Sequence, residues 1–517
     1  MSRLRRDKAR KRLNELLSLA DDEAFLVMVW AVDALQSGQA DVAARYLTFP
    51  CEAKSAGLGD NHFVFKWYLE TLVNELLITR KKAHSGRGRR RSLNCSQFGT
   101  IAGCANVLRE LEDAEDGMML ARSNVLDLMH KTGHRQFEWQ RGFANLPQIY
   151  RSLFVFGGDL AKGYFDKLNQ LSLTDFFLCG IAFYALSKRS PAVETTVSLS
   201  DISISSRTRD AALRLLSAPL IEVQRQAIKI RQTYGHSTAY QQSVLRKIPI
   251  ISIGLSVRRV ACSPLPELIM LRVTAGLYYD LVGGGPDIWR EIGLRYESYC
   301  LELMKEALPG AKPSGSFKYK FKKTVDSPDL FLHDESGAAK VVIECKAKKM
   351  SVKAKFSDNP LDDARQAFSE IIKGVLQLWR FFSHCRRSGI RVIAHDAVGM
   401  VLTLDPWLQM SNHRDRVMEE ARGLARIDPQ ITEQDRKAIL FCPIEDLEYT
   451  LGIASDASFF EAIAAAASRP EFEGWSLVSV HQKISTERRQ NPYPFADRIA
   501  DILPSWHLFK DGKILGR

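Results

Sequence analysis

The chain of 517 residues is 45% hydrophobic and 26% charged, which is ordinary for globular protein and enough for two to four domains with real cores. That balance sets aside a disordered or fibrous chain, and no apolar run reaches membrane-spanning length. A formal net charge of +12 favours a polyanionic partner, nucleic acid before membrane.

Residues 1–190 read as a mostly helical domain for recognition or assembly, with an amphipathic stretch over 23–30 and a helical run over 174–186. Its start is basic and lacks the apolar core of a signal peptide. The nine cysteines are scattered without a CxxC pair, so neither a zinc framework nor a disulfide framework is expected. A reducing cytoplasm fits both features. Arg80, Lys81 and Lys82, then Arg87, Arg89, Arg90 and Arg91, form a basic loop without an acid. It is either solvated or laid against a nucleic-acid backbone. His130 and His134 have the spacing of helix metal ligands, but Gly133 weakens the helix and no glutamate follows His130, so no metal is expected there.

Residues 191–285 form a mixed connecting region, with a strand over 249–253, a helix over 266–281, and Gly283-Gly284-Gly285-Pro286 as a hinge or turn. A helix over 286–308 follows, opened by Pro286 and closed by Pro309-Gly310. On it Leu294, Glu297, Leu301, Met304 and Leu308 recur at spacings of three and four, placing Glu297 on an apolar stripe. A carboxylate there is costly unless it is ion-paired or bound to a metal. Phe317 to Lys322 alternates strictly, giving a strand with one aromatic face and a second face of Lys318, Lys320 and Lys322. The lysines either protect a sheet edge or contact phosphates.

The chemistry concentrates at Ser327-Pro328-Asp329 and Val341-Val342-Ile343-Glu344-Cys345-Lys346. The 14 residues between Asp329 and Glu344 suit a strand, a turn over 333–337 and a returning strand. Side chains alternate along a strand, so Glu344 and Lys346 share a face and Cys345 takes the other. The hairpin brings Asp329 beside them. Two carboxylates and an ammonium are what metal-assisted phosphodiester hydrolysis requires: hard oxygen ligands for Mg²⁺ and a cation near the water or the phosphate. An ordinary surface ion pair is the alternative. Lys348, Lys349, Lys353 and Lys355 then place a basic strand end and loop at the cleft mouth. A helix over 359–387 follows, with Asn359 as N-cap and Pro360 in its first turn. It has a polar line of Gln366, Glu370, Lys373, Gln377 and Arg380 opposite an apolar face. A solvated face is the simplest reading of Glu370. Two strands over 390–394 and 398–404 complete the unit. Residues 406–517 read as an α/β extension packed on it, with strand-like runs at 438–441 and 475–480.

Pro-Asp…Glu-x-Lys resembles the signature of the PD-(D/E)XK nuclease superfamily, over about residues 286–405. Gly293-Leu294-Arg295-Tyr296-Glu297 resembles the glutamate-bearing helix that precedes its catalytic hairpin. Gln377-x-x-x-Phe381 resembles the Gln-x-x-x-Tyr element of its exonuclease branch, with phenylalanine for tyrosine. The resemblance implies a restriction-endonuclease-like α/β core, a mixed sheet flanked by helices, beneath a mainly α-helical N-terminal half. It implies an Mg²⁺-dependent DNA endonuclease, with Mn²⁺ as substitute, in antiviral host defence or DNA processing. Asp329, Glu344 and the Cys345 carbonyl would hold the metal, and Glu297 a second metal or metal-bound water. Lys346 would orient or activate water, and Gln377 would position substrate or metal-bound water, with Gln366 a lesser candidate. The N-terminal half would meet the target, a partner protein or a second copy of the chain. An RNA-directed nuclease uses the same chemistry. A nucleic-acid-binding or assembly protein without cleavage is the reading from another class, and the intact Asp/Glu/Lys set argues against it.

Overall fold

The computed structural model describes residues 2–82, 93–121, 125–234, 237–253, 260–357, 360–406, 413–503 and 506. The N-terminal half is largely helical, and the C-terminal half holds a mixed five-stranded sheet with helices.

Local capping explains where several helices begin. Asp21 accepts the Ala24 N–H at 2.9 Å to open Asp22–Gln36, and Ser172 accepts the Asp175 N–H at 3.0 Å to open Leu173–Arg189. The expected amphipathic stretch at 23–30 is instead part of a central helix. Phe25, Leu26, Met28, Val29, Trp30 and Ala31 are all buried, so it is wrapped by neighbours. Among the described residues no single helix is long and apolar enough to cross a membrane. Asp159–Asn169 and Leu173–Arg189 pass that test only as a pair bent by 71°. The Val125–Arg141 helix runs straight through Gly133, because packing outweighs one glycine's propensity cost of about 1 kcal/mol.

In the connecting region, Val193–Glu194, Val260–Cys262, Ile250–Ile253 and Ser217–Pro219 form a small sheet in that order. The single helix expected over 266–281 is two, Glu267–Val273 and Leu277–Leu281. The chain turns between them where the Gly276 N–H reaches back to the Leu271 carbonyl at 2.8 Å.

The main sheet runs Ile439–Pro443, Ile393–Thr403, Ala339–Lys346, Leu330–His333, Ser314–Gly315. The first three strands are parallel, and the last two pair antiparallel. One strand comes from the segment beyond residue 405, so the sheet extends past the unit expected over 286–405. The two strands expected over 390–404 are one, with a register shift between Ile393 and Val398 that absorbs the polar His395-Asp396. The run at 475–480 is not a strand but the start of helix Leu477–Ile484. The Ser476 hydroxyl accepts the Ser479 N–H at 3.2 Å, and the Asp446 carboxylate accepts the Val478 N–H at 3.0 Å. A double cap has overridden strand propensity.

Strand alternation divides the core in two. Leu330, Leu332, Val341, Ile343 and Cys345 join one apolar cluster with Pro286–Ala307 and the N-terminal helices. Phe331, Val342 and Val401 face the other, under helices Arg365–Ser388 and His413–Ile427. The Pro286–Ala307 helix buries Ile292, Tyr296, Tyr299, Cys300, Leu303 and Met304. Its buried face is therefore rotated from the expected stripe. Leu294 is 59% exposed, and Glu297 sits at the flank of the packed face. The helix expected over 359–387 is Arg365–Ser388, preceded by a separate turn of helix at Pro360–Asp363; Asn359 lies outside the described residues.

Candidate active site

Four elements converge where the Glu344 strand ends. The hairpin turn is closed by Asp334, whose side chain accepts the Ala338 N–H at 3.0 Å, and by Gly337 at φ 84°, a left-handed conformation that favours glycine. This fixes the register, so the Asp329 N–H donates to the Ile343 carbonyl at 3.0 Å. Asp329 Oδ2 in turn accepts the Cys345 N–H at 2.7 Å, which lays its carboxylate against the Glu344–Lys346 backbone. Lys346 Nζ donates to Glu344 Oε1 at 2.9 Å and to Gln377 Oε1 at 3.2 Å. Glu344 is 4% exposed, and its Oε2 is buried without a hydrogen-bond partner among the described residues. Cys345 turns to the opposite face and packs with Cys300 in the first cluster.

Asp329, Glu344, Lys346 and Gln377 are thus brought together, and Glu297 approaches them from its helix. Glu297 makes no ion pair among the described residues. The core ion pair offered as its alternative role is therefore not what the structure contains. Burial, then Glu344, raises its carboxyl, and Lys346 opposes this. Burial, then Glu344 and Glu297, pushes the Asp329 carboxyl up to about 8. Glu344 is also raised by burial, against Lys346 and Gln377. Burial works against the Lys346 ammonium, but Glu344 and Asp329 outweigh it and raise its pKa. One ammonium cannot offset three crowded carboxylates, so all three carboxyls are raised.

Gly374 was invisible in the sequence, where a mid-helix glycine reads only as a propensity cost. A Cβ there would meet Lys346 Cε at 3.1 Å and Glu344 Cγ at 3.5 Å, so its bareness lets the Arg365–Ser388 helix lie over both side chains. If the site carries out the cleavage expected of it, a Gly374→Val protein should fold yet lose about tenfold or more of that activity, because displacement of a reacting group by about 1 Å is that costly. Circular dichroism beside turnover separates misplacement from misfolding.

The remaining sequence candidates fall elsewhere. Gln366 is exposed, away from the Lys346 contact that Gln377 makes. Glu370 is half-buried, pairs with Lys373 at 3.9 Å and adds to the field on Lys346, so it is more than a solvated side chain. Phe381 packs in the core with Phe331 and Tyr319, at ring-centroid distances of 5.4 and 5.9 Å. That packing uses its apolar ring and places it away from the cleft.

Lys318, Lys320 and Lys322 are exposed on a separate two-stranded hairpin, Lys318–Phe321 with Lys323–Asp326, outside the main sheet. Lys318 lies 4.0 Å from Asp326. The basic segment expected at the cleft mouth folds inward instead. Lys355 is 8% exposed and pairs with Asp405 at 3.1 Å and Glu138 at 3.4 Å. Lys349 is half-buried, 3.4 Å from the Ala275 carbonyl, and Lys348 is half-buried as well. Carboxylates from distant chain segments, unreadable in the local sequence, draw Lys355 in. The Lys353 side chain lies outside the described residues, as do Arg87, Arg89, Arg90 and Arg91. Lys81, in the same basic run, pairs with Asp22 at 2.7 Å.

His130 and His134 are buried edge to face at 4.4 Å, with the His413 ring 5.6 Å from His130. Burial, then Lys355, lowers His134 to about 3. Among the described residues, no three His, Cys, Asp or Glu side chains are gathered into a ready-made metal site. Two carboxylates of the candidate site nevertheless fit a hard divalent cation: Asp329 and Glu344 are crowded acids, and Glu344 Oε2 is a buried oxygen without a hydrogen-bond partner among the described residues. No protein-family profile, curated protein or solved structure matches the chain.

Proposed function

We propose that the protein is a divalent-metal-dependent nuclease of the PD-(D/E)XK kind, acting on DNA. The observation that carries this reading is the convergence of Glu297, Asp329 and Glu344 on a single ammonium, Lys346, with one buried Glu344 oxygen unused. Asp329 and Glu344, with the Cys345 carbonyl, would hold Mg²⁺ or Mn²⁺, and Glu297 would bind a second ion or its water. When bound, the metal supplies charge stabilisation for the phosphorane-like transition state and acidifies water. Lys346, oriented by Glu344 and Gln377, places a positive charge beside the attacking water or the phosphate oxygens. The net charge of +12 and the exposed Lys318, Lys320 and Lys322 favour a polyanionic substrate. The helical half would contribute target or partner recognition. A role in host defence or DNA processing rests on analogy with the superfamily.

The test is purified protein with Mg²⁺, Mn²⁺ or EDTA on plasmid, linear duplex and single-stranded DNA and on RNA. Metal-dependent nicking or linearisation of DNA is expected, and cleavage confined to RNA would move the assignment to a ribonuclease. Glu297→Gln should weaken metal-dependent turnover without lowering the melting temperature. A lower melting temperature at unchanged turnover per folded molecule would make Glu297 structural only.

A further inference from the structure

A cavity of about 540 Å³ opens between the helical half and the segment that leaves the Glu344 strand. That volume is in the range of small-ligand sites. Its walls carry six Arg and Lys side chains against three carboxylates. Most of this charge is already matched. Glu70 and Glu138 hold Arg246 at 2.8 and 2.5 Å, and Asp280 holds Arg272 at 2.6 Å. From behind the wall, Glu112 holds Arg135 at 2.7 Å and Asp405 holds Lys355 at 3.1 Å. Two cations are left without a carboxylate partner among the described residues: Lys247, exposed at the rim, and Lys349, half-buried within. Burial works against the Lys349 ammonium, and Asp405 and Glu445 act on it only from beyond ion-pair distance, so an anion in the cavity would supply the close partner it lacks.

The rest of the wall is not that of a bare phosphate site. Tyr279 and Phe356 contribute aromatic rings, and Asn74, Gln241 and Gln242 contribute amides, of which Asn74 already accepts from the Ser243 hydroxyl and Gln241 already donates to the Thr238 carbonyl, both at 3.2 Å.

We propose that this cavity binds a nucleotide unit, with its phosphate on Lys349 and Lys247 and its base against Tyr279 and Phe356. The unit is either a free nucleotide or a terminal or unstacked nucleotide of a nucleic acid, since both present the same phosphate and base. Lys349 stands three residues beyond Lys346 on one connection, so an occupant bears directly on the end of the site strand.

The experiment is isothermal titration calorimetry on the full chain in EDTA, with each of the four ribonucleoside 5′-monophosphates, the matching nucleosides and inorganic phosphate. At least one monophosphate is expected to bind about tenfold or more tightly than its nucleoside and than phosphate. The Lys247→Gln/Lys349→Gln protein should lose about tenfold or more of that affinity. Phe356→Ala, which removes a base-facing ring and no charge, provides a second variant should the first fail to fold. A 5′-phosphorylated single-stranded oligonucleotide sorts the source. If it binds with the same dependence on Lys247 and Lys349, the nucleotide belongs to a nucleic acid; if only the monophosphate does, it is a free ligand. Binding of neither, or binding indifferent to both variants, overturns the proposal. Without metal no cleavage is read, so this result and the nuclease reading fail or stand separately.

Discussion

Alanine at Asp329, Glu344 or Lys346 is expected to lower metal-dependent cleavage about a hundredfold or more while the protein stays folded. In the proposed role each side chain would act on the phosphate or its metal, and none of them supports the apolar packing. The strand is held on one face by Val341, Ile343 and Cys345 and on the other by Val342. Removing one carboxylate also relieves crowding, because burial and its neighbours already push Asp329 up to about 8. The Asp329→Ala protein should therefore melt no lower than the parent above about pH 8. Undiminished cleavage in both Asp329→Ala and Glu344→Ala would sink the assignment.

Lys355→Met should destabilise the protein by about 3–5 kcal/mol, the cost of breaking a buried ion pair by removing one partner. Asp405 and Glu138 both lie on this ammonium, and Glu138 is held well below the usual carboxylate range against the cost of its own burial, chiefly by Lys355 and then Arg246. Methionine fills the space but leaves the two acids short of a cation. Denaturant unfolding reads the change as an earlier midpoint with an unchanged slope. An unchanged midpoint accompanied by weaker DNA binding would return Lys355 to the phosphate-contacting role its sequence context suggested.

The sequence was most legible where local pattern and chemistry agree. Glu344 and Lys346 interrupt a Val-Val-Ile run that would otherwise stay apolar, and strand periodicity alone places them on one face. The turn at 333–337 and the helix after Pro286 follow from short-range signals in the same way. What failed depends on distant partners. Leu294 is exposed because the helix's buried face is chosen by what it packs against, not by its own spacing alone. The Lys349 and Lys355 positions are set by Ala275, Glu138 and Asp405, far away in the chain. Gly374 matters only because a helix crosses two charged side chains at close range, which no local pattern records. The 475–480 run misleads because Asp446 supplies a helix cap from outside it.

The central claim, that Asp329 and Glu344 form a divalent-cation site, is tested most directly by Mn²⁺ binding to the full chain, followed by electron paramagnetic resonance without substrate. Bound Mn²⁺ should be displaced by Mg²⁺ and held much more weakly in Asp329→Asn and Glu344→Gln. Because the free Asp329 carboxyl holds its proton up to about 8, proton and metal compete below that pH. Affinity should therefore rise as pH increases from 6 toward 8 and level off above it, and in Asp329→Asn that rise should be absent. Mn²⁺ that fails to bind at pH 8, or binds equally well to both variants, would contradict the account.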